Sequence, residues 1–279
     1  MTVFEKAYAK INLFLDVTGR RDDGFHDIIT VMHSVSLCDE IKLTAIPSSE
    51  RHISVTSSDP NLPIDESNLV FKSAEKYMSY FGINDDVEIC IDKHIPIGAG
   101  LGGGSSDAAA TLRALNKIYG RATKEQLLWM ASELGSDVPF CIDGGCATCT
   151  GRGENIRKFD CDFKSYYRYI VIAIGESRVS TPRAYALLDE KYGDFKAYNK
   201  SKSFPDSGSM PIYNIFESVI VHDEINKIKE IMRRNGALHT LMSGSGPSVY
   251  GGFKNFFAAS LAAKKLKKQG YSAYKCRLM

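Results

Sequence analysis

Hydrophobic and polar residues alternate along several stretches of this 279-residue chain, which is the pattern of strands with one buried face. On the longest stretch Ile11, Leu13 and Leu15 share one face, whereas Lys10 and Asn12 point together to the other. The neighbours of Lys10 in sequence are small and apolar, which predicts a partly buried ammonium group. The predicted strands cover residues 5–17, 33–37, 41–44, 53–55, 87–91, 168–174 and 249–251.

Apolar residues at helical spacing, bounded by capping residues, predict the helices. The expected boundaries are Asn68 and Gly82, Thr123 and Gly135, Thr181 as N-cap with Pro182 as first residue, and residues 223–234. Another helix is predicted directly after a glycine-rich segment, and one more around the lysines at 264–268. The order strand, helix, strand, helix, strand in the second half predicts a ferredoxin-like α+β layer.

A change in composition divides the chain. Around residues 155–168 charged and aromatic residues become frequent, and we expect one domain over residues 1–163 and another over 164–279. Residues 194–211 are polar and contain Gly, Pro and Ser, which predicts a mobile loop.

Composition narrows the classes of function. The formal net charge of +2 argues against a nucleic-acid-binding protein, and no apolar run has the length of a membrane span. Seven cysteines, an odd number, and a start unlike a signal peptide predict a cytoplasmic protein with free thiols. Cys146 and Cys149, with Cys141 and Cys161, suggest a zinc site, but the first two lie in a predicted strand and would face opposite sides.

The glycine-rich segment, residues 96–107, lies between a predicted strand and a predicted helix. Five glycines in seven positions leave the loop without most side chains, so its N–H groups can close around an anion. Ser105 or Ser106 stands where the N-cap of the helix is expected, and a helix N-terminus favours anions. The segment therefore predicts a phosphate-binding loop.

Three familiar phosphate loops do not fit this segment. Gly98, Gly100 and Gly103 match G-x-G-x-x-G, but a helix opening at Thr123 stands where a dinucleotide fold needs a second strand. A Walker A loop would carry a lysine after Gly104, and none is present. The glycine loop of protein kinases joins two strands rather than a strand and a helix.

The segment closely resembles the Pro-x-x-x-Gly-Leu-Gly-(Gly)-(Gly)-Ser-Ser loop of the GHMP kinase superfamily. Two further stretches resemble its other motifs in the same order, residues 135–139 (Gly-Ser-Asp-Val-Pro) and 242–248 (Met-Ser-Gly-Ser-Gly-Pro-Ser). The resemblance implies a two-domain fold, with an N-terminal domain like ribosomal protein S5 domain 2 and a C-terminal ferredoxin-like domain. It also implies that ATP is bound by Pro96, Ile97, Gly98, Ala99, Gly100, Leu101, Gly102, Gly103, Gly104, Ser105, Ser106 and Asn68.

Two more stretches narrow the resemblance to one family within the superfamily. Lys10-Ile-Asn12-Leu and Gly24-Phe25-His26 are similar to the patterns of the 4-diphosphocytidyl-2-C-methyl-D-erythritol kinases. This implies ATP-dependent phosphorylation of the 2-hydroxyl of that small-molecule substrate. It also implies substrate contacts from Asn12, Phe25, His26, Thr181 and Tyr185, with the cytidine ring between Phe25 and Tyr185. Phe25 lacks the hydroxyl of the more usual tyrosine, so that ring can stack but not hydrogen-bond.

The resemblance assigns the chemistry to Lys10 and Asp137. Asp137 would accept or orient the proton of the attacking hydroxyl, while Lys10 stabilises the alkoxide and the transferring phosphoryl group. By itself Asp137 could equally cap the turn that follows it. Ser105 or Ser106 can offer a hydroxyl to Mg²⁺. We expect a monomer or weak homodimer.

Two rival functions are open at this point. A homoserine or mevalonate type of kinase would share the loop and Asp137, but should lack the Lys-Ile-Asn-Leu and Gly-Phe-His pair. A non-catalytic nucleotide-binding module would be expected to have lost Lys10 or Asp137.

Overall fold

The computed structural model describes residues 1–159, 166–176, 179–193, 195 and 212–279. The chain forms two compact units, each built from separate pieces of sequence. The first unit combines residues 1–9, 37–98 and 102–144, and the second combines residues 10–36, 99–101 and 145–279. The domain boundary predicted between residues 163 and 164 lies outside the described residues, as does the loop predicted at 194–211 apart from Phe195.

Two long strands open the chain, β1 (Thr2–Arg20) and β2 (His26–Ile46). The sequence predicts β2 as separate short strands because polar residues interrupt its alternation, and this prediction is wrong. His33, Ser34 and Asp39 are buried, and each takes part in hydrogen bonds. A strand can therefore continue through them without exposing a face.

The first unit packs helices against a sheet. In this unit β2 pairs antiparallel with β4, Ile41 lying opposite Ile91, and β4 pairs parallel with β3. Its other elements are β3 (His52–Ser57), α1 (Leu69–Phe81), β4 (Asp86–Asp92), α2 (Gly103–Tyr119), α3 (Lys124–Leu134) and α4 (Val138–Asp143). The face of α2 predicted to be apolar, which includes Ala108, Ala109 and Leu112, is buried.

The caps of α1 and α3 confirm the predicted helix ends. Asn68 accepts a hydrogen bond from the N–H of Val70, and Gly82 ends α1 with a φ of 62°. Thr123 and Gln126 form the predicted capping box of α3. Helix caps depend only on residues close in sequence and need no tertiary contacts, so they can be predicted from the sequence.

The second unit contains two sheets. In one, β8 (Tyr213–Asn214) pairs with β1, while β2 pairs with β5 (Cys146–Gly151), which pairs with β6 (Asn155–Lys158). Cys146 and Cys149 are three positions apart in β5 and so point to opposite faces, as predicted; Cys161 lies outside the described residues.

The other sheet of the second unit has the strand order β11-β7-β10-β9, and its neighbouring strands are antiparallel. Its elements are β7 (Tyr169–Ile174), α5 (Thr181–Tyr192), α6 (Asp223–Arg234), β9 (His239–Met242), β10 (Ser248–Phe253), α7 (Phe256–Lys268) and β11 (Ser272–Cys276). This order confirms the predicted ferredoxin-like layer. The N-cap of α5 is Ser180, one residue before the predicted Thr181, because the Ser180 hydroxyl accepts from the N–H of Arg183.

Within the described ranges, no helix has both the length and the apolar character needed to cross a bilayer. In the same ranges, no group of three or more His, Cys, Asp or Glu side chains is arranged to hold a metal ion.

Candidate active site

The part of the glycine-rich segment in the first unit leads directly into α2. Gly98 and Gly102 have φ values of 67° and 69°, where a residue with a side chain is strained. The N-cap is Gly102, so the predicted cap at Ser105 or Ser106 is wrong. Both serines lie inside the helix, and the Ser106 hydroxyl donates to the carbonyl oxygen of Gly103 at 3.0 Å. A Cβ on Gly103 would lie 3.1 Å from Ile95 and from Lys93 Nζ, so the first residue of the helix packs closely against these side chains.

The middle of the segment, residues 99–101, belongs to the second unit and is held by the loop at 242–248. Ser243 Oγ donates to the carbonyl oxygen of Gly100 at 3.2 Å, and Ser248 Oγ donates to that of Ala99. The N–H of Lys10 donates to the carbonyl oxygen of Leu101 at 2.9 Å. The two glycine-serine stretches identified in the sequence, residues 96–107 and 242–248, are therefore in direct contact at residues 99–101.

The loop at 242–248 is itself fixed by residues that the sequence did not indicate. The buried Asn214 donates from Nδ2 to the carbonyl oxygens of Met242 and Gly244, each at 2.8 Å. Glu217 accepts from the N–H of Met242 at 2.6 Å and pairs with Lys229 Nζ at 2.6 Å. An amide and a carboxylate thus hold the loop by its backbone.

Lys10 is buried, as predicted, with only 5% of its surface exposed. Its Nζ donates to Asn12 Oδ1 at 2.9 Å, which confirms that the two side chains share a face of β1. Asn12 Nδ2 donates to Thr30 Oγ1 at 2.9 Å, and the hydroxyl of Tyr250 donates to the carbonyl oxygen of Asn12 at 3.2 Å. The ammonium group therefore belongs to a buried hydrogen-bonded network.

Asp137 stands immediately before α4 and is half-buried. Its carboxylate makes no capping hydrogen bond to the described backbone of α4, so the capping alternative is not the role that the structure gives it. Asn68 does act as a cap: its Oδ1 accepts from the N–H of Val70 at 2.8 Å and its Nδ2 donates to the carbonyl oxygen of Pro63. Its assignment to ATP stays a prediction.

His26 and Tyr185, both predicted to contact substrate, lie together in the second unit. Their rings stack with centroids 4.6 Å apart at 20°. His26 Nε2 lies 2.7 Å from Asp189 Oδ1; because an ionised carboxylate only accepts, Nε2 carries the proton. Arg20 also pairs with Asp189, at 3.5 Å.

Two further predicted substrate residues of the second unit, Phe25 and Thr181, are exposed, whereas the third, Asn12, is buried. Phe25 is 54% exposed, and the guanidinium of Arg152 lies 5.0 Å from its ring centroid. Thr181, the first residue of α5, shares a hydrogen bond of 3.1 Å with Ser245 of the glycine-serine loop. A ring at Phe25 is thus available for stacking, and Thr181 is tied to the loop at 242–248.

A buried ionic cluster in the first unit adjoins the start of α2. Lys93 Nζ lies between Asp39 Oδ2 and Asp107 Oδ2, at 2.5 and 2.7 Å. Asp39 Oδ1 accepts from the N–H groups of His94 and Ile95, whereas Asp107 Oδ1 is buried and makes no hydrogen bond to the described part of the chain. Burial raises the pKa of Asp107 to about 8, with Lys93 opposing the rise and Asp39 adding to it. The raised pKa favours the protonated form of the Asp107 carboxyl at neutral pH.

This pKa makes stability depend on pH in a defined direction. Between the ordinary value of 3.8 and about 8, the folded chain keeps a proton on Asp107 that the unfolded chain releases. Stability from this group is therefore lost as pH rises through that window, by up to about 1.4 kcal/mol per pH unit. We expect wild type to lose stability relative to Asp107→Asn between pH 5 and 8, measured by urea denaturation.

The matched control is Asp143→Asn, which removes an exposed carboxylate paired with Lys124. Its difference from wild type should stay constant over the same pH range. Parallel profiles for wild type and Asp107→Asn would contradict the assignment of the proton to Asp107.

Most of the chain also matches known proteins. The family model for the GHMP kinases N terminal domain matches residues 68–145, and that for the GHMP kinases C terminal matches residues 212–272. A curated 4-diphosphocytidyl-2-C-methyl-D-erythritol kinase from Caldicellulosiruptor saccharolyticus is 42% identical, covering 94% of this chain and 92% of its own. The chain belongs to this kinase family. A Bacillus subtilis protein of the same name is 40% identical over 90% of this chain and 88% of its own.

Solved structures agree with this family membership. A crystal structure of 4-(cytidine 5'-diphospho)-2C-methyl-D-erythritol kinase has a TM-score of 0.79, with 31% identity and 99% of both chains covered. The homoserine kinase of Cytophaga hutchinsonii has a TM-score of 0.71 at 20% identity over 99% of this chain and 95% of its own, which shows a common fold alone. The predicted superfamily and fold class are confirmed.

Proposed function

We propose that this chain is an ATP-dependent kinase that phosphorylates the 2-hydroxyl of 4-diphosphocytidyl-2-C-methyl-D-erythritol, a step of the methylerythritol phosphate route to isoprenoids. The observation that carries the proposal is family membership over nearly the whole chain, together with a buried lysine beside an asparagine on β1. Seven cysteines, an odd number, favour a reducing compartment such as the cytoplasm as its site of action.

The glycine-rich segment fits a nucleotide's phosphates. Three of its glycines have φ values between 67° and 75°, and a Cβ on Gly100 would meet two carbonyl oxygens. The backbone can therefore take a path closed to other residues, and the N-terminal N–H groups of α2 add favourable dipoles for an anion. We assign ATP to this segment and, on the family resemblance, to Asn68.

Magnesium fits the two serines of α2. A hydroxyl oxygen is a ligand of the hard type that Mg²⁺ takes. The Ser106 hydroxyl donates its single proton to the carbonyl oxygen of Gly103, so the lone pairs of Oγ are available to a metal ion. Ser105 is half-buried. When bound, Mg²⁺ would neutralise charge on the phosphates.

The protein's own part in the reaction is to place charge. Lys10 holds a positive charge in a buried setting where negative charge develops on the transferring phosphoryl group and on the attacking oxygen. Asp137 takes or orients the proton of the substrate hydroxyl. His26 and Tyr185, with Phe25, Thr181 and Asn12, would hold the cytidine and polyol parts.

The test is ADP release from ATP and Mg²⁺, with diphosphocytidyl-methylerythritol, mevalonate and homoserine offered in parallel. We expect turnover with the cytidyl compound alone, and loss of turnover when EDTA removes the metal. Turnover only with mevalonate or homoserine would keep the fold and discard the cytidine pocket. ATP binding without any turnover would instead indicate a non-catalytic nucleotide-binding module.

A further inference from the structure

Thr30 on β2 is fully buried. Its hydroxyl donates one hydrogen bond and accepts another. Its Oγ1 donates to the carbonyl oxygen of Phe14 at 2.6 Å. A hydroxyl has a single proton, so toward Asn12, 2.9 Å away, Thr30 can only accept. The amide nitrogen of Asn12 must therefore face Thr30. The orientation of the Asn12 amide is therefore set by the number of protons available, although its oxygen and nitrogen are similar in size.

The orientation of the Asn12 amide decides what Lys10 meets. With the nitrogen turned to Thr30, Oδ1 faces Lys10 Nζ at 2.9 Å and also lies 3.4 Å from Ser243 Oγ. A flipped amide would present N–H groups to an ammonium that has no acceptor of its own. Lys10 would then lose a hydrogen bond and be pushed from its position.

Solvent cannot easily replace the Thr30 hydroxyl in this network. Thr30 is 0% exposed, and Asn12 and Lys10 are 4% and 5% exposed. The neighbouring strand and loop close the network further, since the hydroxyl of Tyr250 donates to the Asn12 carbonyl oxygen and the Asn12 N–H donates to Ser243 Oγ. One arrangement of the three side chains thus satisfies the hydrogen bonds from Thr30 to Phe14, from Asn12 to Thr30 and from Lys10 to Asn12 together.

We infer that Thr30 is a positioning residue of this kinase, which sets the place of the Lys10 ammonium by fixing the Asn12 amide. The inference rests on the proposed function for the role of Lys10 in phosphoryl transfer. Thr30 acts through Asn12, because both hydrogen bonds of its hydroxyl are made within the protein. Nothing in the local sequence pattern around Thr30 indicates this role.

The kinetic test compares Thr30→Val with Thr30→Ser. Valine keeps the shape but cannot accept from Asn12, so we expect kcat to fall about tenfold to a hundredfold, since a displacement near 1 Å can cost that much. KM for ATP should change by less than about threefold, because the glycine-rich segment is untouched. Serine restores the acceptor and should restore kcat. An equal loss in Thr30→Val and Thr30→Ser would overturn the inference.

Two comparisons separate positioning from a general loss of structure. Thr111 is also fully buried, and its hydroxyl donates to the carbonyl oxygen of Asp107 at 2.9 Å, so Thr111→Val is a matched control that should keep kcat. In an Asn12→Ala background, Thr30→Val should lower kcat no further, because the residue through which it acts is gone. Additive losses would mean that Thr30 acts by another route.

A spectroscopic test remains informative even if the proposed substrate is not turned over. The lysine ¹³Cε signal of Lys10, assigned by its disappearance in Lys10→Met, should shift in Thr30→Val and stay in place in Thr30→Ser and Thr111→Val. An unshifted signal in Thr30→Val would overturn the inference whatever the acceptor proves to be. Absence of turnover in wild type, with the expected shift, would reject the proposed function and leave the link from Thr30 to Lys10 standing.

Discussion

Lys10→Met is expected to lower kcat by about a hundredfold to a thousandfold, the usual effect of removing one preorganised charge from a developing anion. The ammonium is buried and held by Asn12 Oδ1 at 2.9 Å, so it is in place before the reaction begins. Methionine has nearly the same length and no charge. Binding of ATP should change little, because the glycine-rich segment keeps its backbone donors. Single-turnover kinetics would separate the chemical step from binding.

Asp137→Asn should produce a loss of similar size, about a hundredfold to ten-thousandfold if the carboxylate accepts the proton. The two roles open to Asp137 differ in their pH dependence. If it is a base, the residual rate of the asparagine variant should rise with pH as hydroxide replaces it. If it only positions the hydroxyl, the loss should be the same factor at every pH.

Two matched controls guard this prediction. Lys6→Met changes an exposed lysine on the same strand, and Asp143→Asn changes an exposed aspartate at the end of α4. Both should keep kcat within about twofold of wild type, as surface changes usually do. Near-normal turnover in Lys10→Met or Asp137→Asn would show that the residues were assigned wrongly.

The features that could be predicted from sequence are those with a local cause. Asn68 and Gly82 bound α1 as expected, because a cap depends on one side chain and the next turn of backbone. Lys10 and Asn12 were expected on one face from the two-residue period of a strand, and their hydrogen bond agrees.

Features that depend on distant parts of the chain have no comparable signal in the local sequence. Gly103, the first residue of α2, packs closely against Lys93 and Ile95, and the helix begins there rather than at the serines, which usually favour an N-cap. Asp39 and Asp107 lie 54 and 14 residues from Lys93, and no periodic pattern links them. Carboxylates at such spacing are usually solvated, so their burial becomes visible only once the strands and helix are assembled.

The roles of Asn214 and Asp189 could not be predicted from sequence for a related reason. Asn214 uses its side chain to hold the backbone of the loop at 242–248, and backbone contacts place no demand on the sequence of the loop. Asp189 pairs with His26 across 163 residues. A polar residue in a short strand or a helix suggests exposure, and only the fold reveals its partner.

Gly100→Ala should damage both stability and nucleotide use, because this glycine meets two separate constraints. Its φ of 75° costs a residue with a side chain about 1–2 kcal/mol. A Cβ would also lie 2.8 Å from the carbonyl oxygen of Ser243 and 3.0 Å from that of Gly246, and these are backbone atoms that cannot swing away. Overpacking of this kind adds about 1–3 kcal/mol. We expect a total loss of about 2–5 kcal/mol in urea denaturation.

Gly120→Ala separates the two constraints, because Gly120 has a φ of 63° and nothing lies within 4 Å of a Cβ added there. It should show the backbone cost alone and leave KM for ATP unchanged. In Gly100→Ala the alanine must push residues 99–101 away from the loop at 242–248, so KM for ATP should rise about tenfold or more. Equal stability losses in the two variants, with no change in KM, would mean that the contact between the two loops does not shape the nucleotide site.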